Sequence, residues 1–246
     1  MRKVEQQSTH ADERGANGPS PIAPSQHGER EVSAALGDTS LRRDEQGLAL
    51  VGDGMVLRGD FSQLLPRIRK GRLSSELLVR AAKVRDCAEP WAIDATAGLG
   101  EDSFLLAAAG FRVSMYESDP TVAALVRDAL NRAQANPNLA GIACRMELFE
   151  EDSIEAMSHL GDTPDVIYLD PMFPKRQKSG LINKKLQLIQ KLEPPCSEEK
   201  DLFDAAIKAG PSRIIVKRPL KSVCLDGREP SYILKGKAIR YDCYVM

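Results

Sequence analysis

The stretch Asp94-Ala95-Thr96-Ala97-Gly98-Leu99-Gly100-Glu101-Asp102 places two glycines between acids, directly after the short apolar run Trp91-Ala92-Ile93. An apolar strand, a glycine turn and the helical pattern that starts at Asp102 form a unit whose helix amino terminus offers free backbone N–H groups, and glycine lets a ligand approach the backbone closely. Glu117 ends the next apolar run, Arg112-Val113-Ser114-Met115-Tyr116, about twenty residues further on, where a carboxylate accepts hydrogen bonds from both hydroxyls of a ribose. A tight turn followed by a solvated strand end is the plainer alternative, and a lone G-x-G does not separate the two. Strand, turn, helix, strand and acid in this order favour nucleoside binding. The third glycine of the dinucleotide fingerprint is missing. Glu101 and Asp102 beside the turn repel a pyrophosphate but suit the sulfonium and ammonium of S-adenosylmethionine, so the methyl donor is favoured over NAD. Asp152-Ser153 follows a third expected strand. It either meets an adenine amino group or belongs to the solvated acidic loop Glu150-Glu151-Asp152.

A second candidate is Asp170-Pro171-Met172-Phe173-Pro174, fed by the strand-like Val166-Ile167-Tyr168-Leu169. Two prolines around an aromatic make a stiff loop at a strand tip, with Asp170 facing the same edge as Gly98. Methylation of an exocyclic amine needs this arrangement, because the nitrogen lone pair is delocalised into the base ring. A carboxylate and a backbone carbonyl that accept the N–H bonds turn the lone pair outward, and a flat side chain such as Phe173 clamps the base by stacking. Catalysis then rests on orientation and preorganised electrostatics, with Asp170, Pro171 and Phe173 as its parts and no metal. The bland reading makes Asp-Pro a strand terminator and Phe173 a core residue.

Positive charge is segregated, although Lys+Arg at 34 against Asp+Glu at 35 leaves a net charge of −1. Arg67, Arg69, Lys70, Arg72, Arg80, Lys83 and Arg85 form one run. Lys175, Arg176, Lys178, Lys184, Lys185 and Lys191 form another, and Arg213, Lys217, Arg218 and Lys221 a third. A single charge run is ordinarily a solvated face. Three flanking one expected sheet edge predict a phosphate-binding rim in which Arg69, Lys70, Arg72, Lys175, Arg176, Lys178, Lys217 and Arg218 contact RNA.

The elements that must position these residues follow from the apolar rhythm. From Trp91 onward strands alternate with helices. Strands are expected at 92–95, 112–117, 142–149, 166–169 and 213–217, helices at 102–109, from Pro120 past Leu130 and at 202–209, and a closing hairpin at 231–235 and 239–245. This predicts an α/β fold with a mostly parallel, doubly wound sheet and an antiparallel C-terminal hairpin. Residues 1–29 are polar and aromatic-free, which predicts a disordered leader. Residues 30–85, with a hairpin around Gly52-Asp53-Gly54, read as a small N-terminal subdomain, and 86–246 as the main domain. At 246 residues and 42% hydrophobic content the chain is globular in composition, without an apolar run of bilayer length or a secretory signal. Five scattered cysteines without a C-x-x-C pair, and three histidines, argue against a zinc site or disulfide scaffold and for a reducing cytoplasm.

The segments Asp94 to Asp102, Tyr168 to Pro174 with its trailing Lys/Arg cluster, and Val216-Lys217-Arg218-Pro219 resemble the bacterial small-subunit ribosomal RNA methyltransferase J family, from about residue 69 to the C-terminus. That resemblance implies a class I Rossmann-like fold, S-adenosylmethionine as cofactor, and methylation of the N2 amine of one guanine near the 3′ end of 16S ribosomal RNA, with the RNA or the small ribosomal subunit as partner. It also implies that Glu101-Asp102, Glu117-Ser118, Asp152-Ser153 and Asp170 line the cofactor site, beside Asp94, Gly98 and Gly100. The rivals are an adenine-N6 or other amino methyltransferase, an NAD-dependent oxidoreductase, and an RNA-binding module without turnover.

Overall fold

A computed structural model describes residues 39–52, 54–85, 87–171 and 199–246. Ten strands are described: β1 (Ser40–Asp44), β2 (Gly47–Gly52), β3 (Met55–Leu57), β4 (Trp91–Asp94), β5 (Arg112–Tyr116), β6 (Met146–Phe149), β7 (Val166–Leu169), β8 (Arg213–Pro219), β9 (Tyr232–Lys235) and β10 (Ile239–Val245). The described helices are α1 (Leu77–Ala82), α2 (Glu101–Ala108), α3 (Pro120–Gln134), α4 (Ala140–Ala143), α5 (Ser153–Ser158) and α6 (Glu199–Lys208).

Strands β4 to β10 form one sheet in the order β6-β5-β4-β7-β8-β10-β9, parallel from β6 through β8 and antiparallel at β10 and β9. The order reverses direction at β4, so the carboxyl ends of β4 and its neighbours open on a topological switch point, where such sheets bind ligands. The strands at the centre are short, apolar and buried on both faces, as parallel strands between helices must be. One face carries a cluster that includes Phe104, Val113, Met115 and Leu125, the other a cluster that includes Ile93, Ile167, Phe203 and Val216.

Helix α3 shows how sequence sets these elements. Asp119 caps it by accepting from Thr121 N and Val122 N at 2.8 and 2.9 Å, Pro120 supplies a preset first turn, and Val122, Leu125, Val126, Ala129 and Ala133 bury one face. The hairpin expected around residues 52–54 is present as antiparallel β2 and β3. Strand β1, which the sequence analysis did not anticipate, pairs with β2, although all five of its residues are exposed. Buried Asp128 on α3 fastens this three-stranded sheet, accepting from Arg43 at 2.6 Å, Leu48 N at 3.0 Å and Arg132 at 2.8 Å. Leu50, Leu57, Phe61 and Leu64 accordingly bury in the same cluster as Phe104 and Leu125. The strand expected at 142–149 divides into α4 and the shorter β6. Among the described residues no helix is long and apolar enough to cross a membrane.

Candidate active site

Register brings the candidate residues to one edge. Asp94 pairs in register with Tyr168 on β7 and Met115 on β5, so the ends of three central strands are level. Beyond β4 the chain stays pinned to both neighbours: Ala95 N donates to Tyr168 O at 3.0 Å and Ala97 N to Tyr116 O at 3.1 Å. Asp170 N donates to Thr96 Oγ1 at 2.7 Å, which ties the tip of β7 to the glycine turn. The two motifs far apart in sequence therefore share one site.

Within the turn, Gly98 and Gly100 hold φ values of 51° and 72°, a left-handed backbone that costs other residues strain. A Cβ built on Gly98 would meet no atom within 4 Å, so the turn presents bare backbone to open space. One at Gly100 would meet Phe61 Cζ at 3.3 Å and Met115 Sδ at 3.4 Å, so that glycine serves packing. Glu117, 6% exposed, accepts from Gly98 N through Oε2 at 3.0 Å and from Asp119 N through Oε1 at 2.9 Å. Its carboxylate thus orders the turn from below. Ser118 beside it is exposed. Asp152 caps α5, with Oδ1 accepting from Ile154 N at 2.7 Å and Glu155 N at 3.3 Å, while Ser153 is buried. Since β6 lies next to β5, Asp152 follows Glu117 along the same edge.

Asp94 is 1% exposed and accepts from Ser103 Oγ at 2.5 Å and Thr96 N at 3.2 Å. Burial lifts its carboxyl to about 7, against the Ser103 bond, and nearby Asp102 adds to the rise. Burial likewise lifts Glu117 to about 7, opposed by the Asp119 and Gly98 N–H bonds. Both values lie above the ordinary carboxylate range that the unfolded chain shows, so between about pH 4.5 and 7 the folded state binds more protons and stability falls as pH rises through that window. The cofactor-free protein is therefore expected to melt several degrees higher at pH 5.5 than at pH 8, since each kcal/mol moves Tm by about 2–4 °C in a chain of this size. Calorimetry checks the sign, and a Tm that climbs over the same interval would contradict it.

Asp102 departs from expectation. It accepts from Tyr168 Oη at 2.6 Å and from Lys217 Nζ at 2.8 Å, both on Oδ2, and despite burial the lysine ammonium holds its carboxyl below the ordinary range. Its charge is thus balanced by Lys217 within the protein. Glu101 is exposed at the start of α2. Lys217, expected at the RNA rim, also lies 2.8 Å from Asp170 Oδ2, which places its ammonium between two acids. Arg218, expected on the same rim, is 3% exposed and donates to Val223 O at 3.2 and 2.8 Å and to Glu199 at 3.4 Å. The alternation of a strand turns it into the protein when Lys217 faces the site. Arg69, Lys70 and Arg72 are exposed. In the same segment Arg67 grips Glu76 with bonds of 2.9 and 2.8 Å, and both sit within electrostatic reach of Asp102, so this segment borders the site. Pro171 is buried. Phe173, Lys175, Arg176 and Lys178 lie outside the described residues. Sequence reasoning missed Tyr168 and Tyr241. Lys217 pairs in register with Tyr241 on β10, whose ring centroid is 6.5 Å from that of Tyr168.

The bare backbone at Gly98 and the carboxylate beneath it fit a nucleoside cofactor. Comparison with known proteins agrees. A family model described as a putative SAM-dependent methyltransferase matches residues 37–246. A solved SAM-dependent methyltransferase from Neisseria gonorrhoeae superposes with a TM-score of 0.68 at 32% identity, covering 84% of this chain and 82% of that one. Fold and site define an S-adenosylmethionine-dependent methyltransferase with a Rossmann-like sheet. The ribosomal RNA small subunit methyltransferase J of Stutzerimonas stutzeri (strain A1501) is 40% identical over 224 residues, 90% of this chain and 86% of the relative. That of Pseudomonas aeruginosa (strain LESB58) is 37% identical over 219 residues, 88% and 83% of the two chains. The chain belongs to the ribosomal RNA small subunit methyltransferase J family.

Proposed function

We propose that the protein methylates the exocyclic N2 amine of a guanosine in 16S ribosomal RNA, near the 3′ end, in the cytoplasm. The observation that carries this reading is the bond from Asp170 N to Thr96 Oγ1, which holds a carboxylate followed by proline beside the glycine turn. Bound S-adenosylmethionine supplies a methyl group on a sulfonium, which leaves as a neutral thioether. The backbone of Gly98 and the start of α2 would hold it, with Glu117 accepting from the ribose hydroxyls. Both cap bonds of Asp152 fall on Oδ1, which leaves Oδ2 for an adenine amino group.

The chain's own work is orientation. Asp170 and the Pro171 carbonyl accept the N–H bonds of the amine, which draws its lone pair out of conjugation and toward the methyl carbon. As the N–C bond forms, the nitrogen gains positive charge that Asp170 stabilises before one proton passes to water. Phe173 stacks on the base.

Incubating the protein and labelled cofactor with small subunits from cells lacking this gene, followed by nucleoside analysis, tests the reading. N2-methylguanosine is the expected product. N6-methyladenosine would transfer the mechanism to another amine, and no labelled nucleoside would reject it.

RNA contact by Arg69, Lys70 and Arg72 is tested by their joint replacement with alanine. Loss of three phosphate contacts lowers the slope of log affinity against log salt by about 2 and raises the KM for RNA by about 10- to 100-fold, with kcat at saturating RNA within about twofold. An unchanged salt slope would place the RNA elsewhere.

A further inference from the structure

Lys217 bridges two acids at the carboxyl edge of the sheet. Its ammonium sits 2.8 Å from Asp102 Oδ2 and 2.8 Å from Asp170 Oδ2, and its side chain is one-quarter exposed. The placement is built into the sheet. Leu169 pairs with Val216, so the next residue on β8 lies beside the next residue after β7, and Tyr241 backs Lys217 from β10. We propose that Lys217 is the positioning residue for Asp170, fixing its carboxylate through Oδ2 so that Oδ1 faces the amine, and supplying the positive charge that lets two neighbouring carboxylates stay ionised. This inference rests on the reading of Asp170 as the amine acceptor.

The surroundings leave Asp170 dependent on that cation. The groups within electrostatic reach of it are Asp102 on α2, Asp94 on β4, Tyr168 on β7, Lys217 on β8 and Tyr241 on β10, with Arg67 committed to Glu76 at the border. Burial raises the Asp170 carboxyl and Asp102 raises it further, while Lys217 opposes both. Two carboxylates that share one ammonium repel each other, and although one-third of the Asp170 side chain is exposed, the compensating charge favours the ionised form of both. A protonated Asp170 loses an acceptor lone pair and its charge, so transfer fades as pH falls through its titration.

The test is the pH profile of kcat at saturating cofactor and RNA. Lys217→Met keeps the stem and removes the charge. Its acid limb is expected about one pH unit or more above that of the wild type, with about a tenfold lower rate below the limb and, above it, a plateau about two- to threefold under the wild-type rate because the lost orientation does not titrate back. Lys217→Arg, which retains a cation, is expected within half a pH unit of the wild type. Lys217→Gln, also neutral and of similar reach, carries the same test if Lys217→Met does not fold, while Asp102→Asn, which removes the competing negative charge, is expected to move the limb down. Titration of [13Cγ]aspartate-labelled protein without cofactor or RNA, with the Asp170 resonance assigned through Asp170→Asn, reads the same shifts apart from activity. A limb and a resonance that move by less than half a pH unit in Lys217→Met, or that move equally in Lys217→Met and Lys217→Arg, overturn the proposal. A wild type that fails to methylate RNA overturns instead the function on which it rests.

Discussion

Replacing Asp170 by alanine is expected to lower kcat for methyl transfer by about 10³-fold while the affinities for S-adenosylhomocysteine and for RNA stay within about threefold of wild type. The separation follows from how the residue is held. Its backbone N–H is fixed by Thr96 Oγ1, the following Pro171 is buried, and neither contact involves the carboxylate that the substitution removes. Lys217 retains Asp102 at 2.8 Å, so the cation keeps a partner. On the proposed mechanism, only the group that accepts from the amine is lost. Asp170→Asn keeps one acceptor oxygen but not the charge, and a loss of about 10- to 100-fold is expected, intermediate because orientation survives and electrostatic stabilisation does not. Single-turnover rates with saturating cofactor separate chemistry from binding. Wild-type transfer by Asp170→Ala would remove the carboxylate from the mechanism.

What the sequence made legible was whatever depends on neighbours along the chain. The turn at Gly98, the acid at Glu117 and the Asp-Pro after β7 are local patterns whose place at strand ends follows from short apolar runs, and the parallel sheet follows from their alternation with helices. What it hid depends on partners brought in by the sheet order. Lys217 and Arg218 are adjacent cations, indistinguishable by composition, yet one faces two acids and the other is buried against Val223 O and Glu199. Only the register with β7 and β10 assigns them to opposite sides. Asp102 reads as one of two acids offered to a sulfonium until the structure places Lys217 and Tyr168 on it. Strand β1 escaped because Ser40–Asp44 has no apolar face. It is held by its ladder with β2 and by the Arg43 contact to Asp128, neither of which alternation of hydrophobicity records.

The two glycines of the turn give the sharpest contrast in expected effect. Both have positive φ, so alanine at either costs about 1–2 kcal/mol of backbone strain. At Gly100 the new methyl meets Phe61, which is 1% exposed and stacked on Phe104 with centroids 5.0 Å apart, and it also meets Met115. Overpacking adds about 1–3 kcal/mol there, so Gly100→Ala is expected to lose stability by roughly 2–5 kcal/mol while its folded fraction binds S-adenosylhomocysteine within about threefold of wild type. At Gly98 the methyl meets no protein atom within 4 Å and enters the open space beside the backbone that the proposed cofactor would approach. Gly98→Ala is expected to weaken S-adenosylhomocysteine binding by about 10- to 100-fold, a loss of about 1.4–2.7 kcal/mol, with a stability cost confined to the strain. Calorimetric titration beside thermal melting reads both quantities on each variant. Equal binding by Gly98→Ala and wild type would mean that the cofactor does not approach this backbone, and the site built on the glycine turn would have to be abandoned.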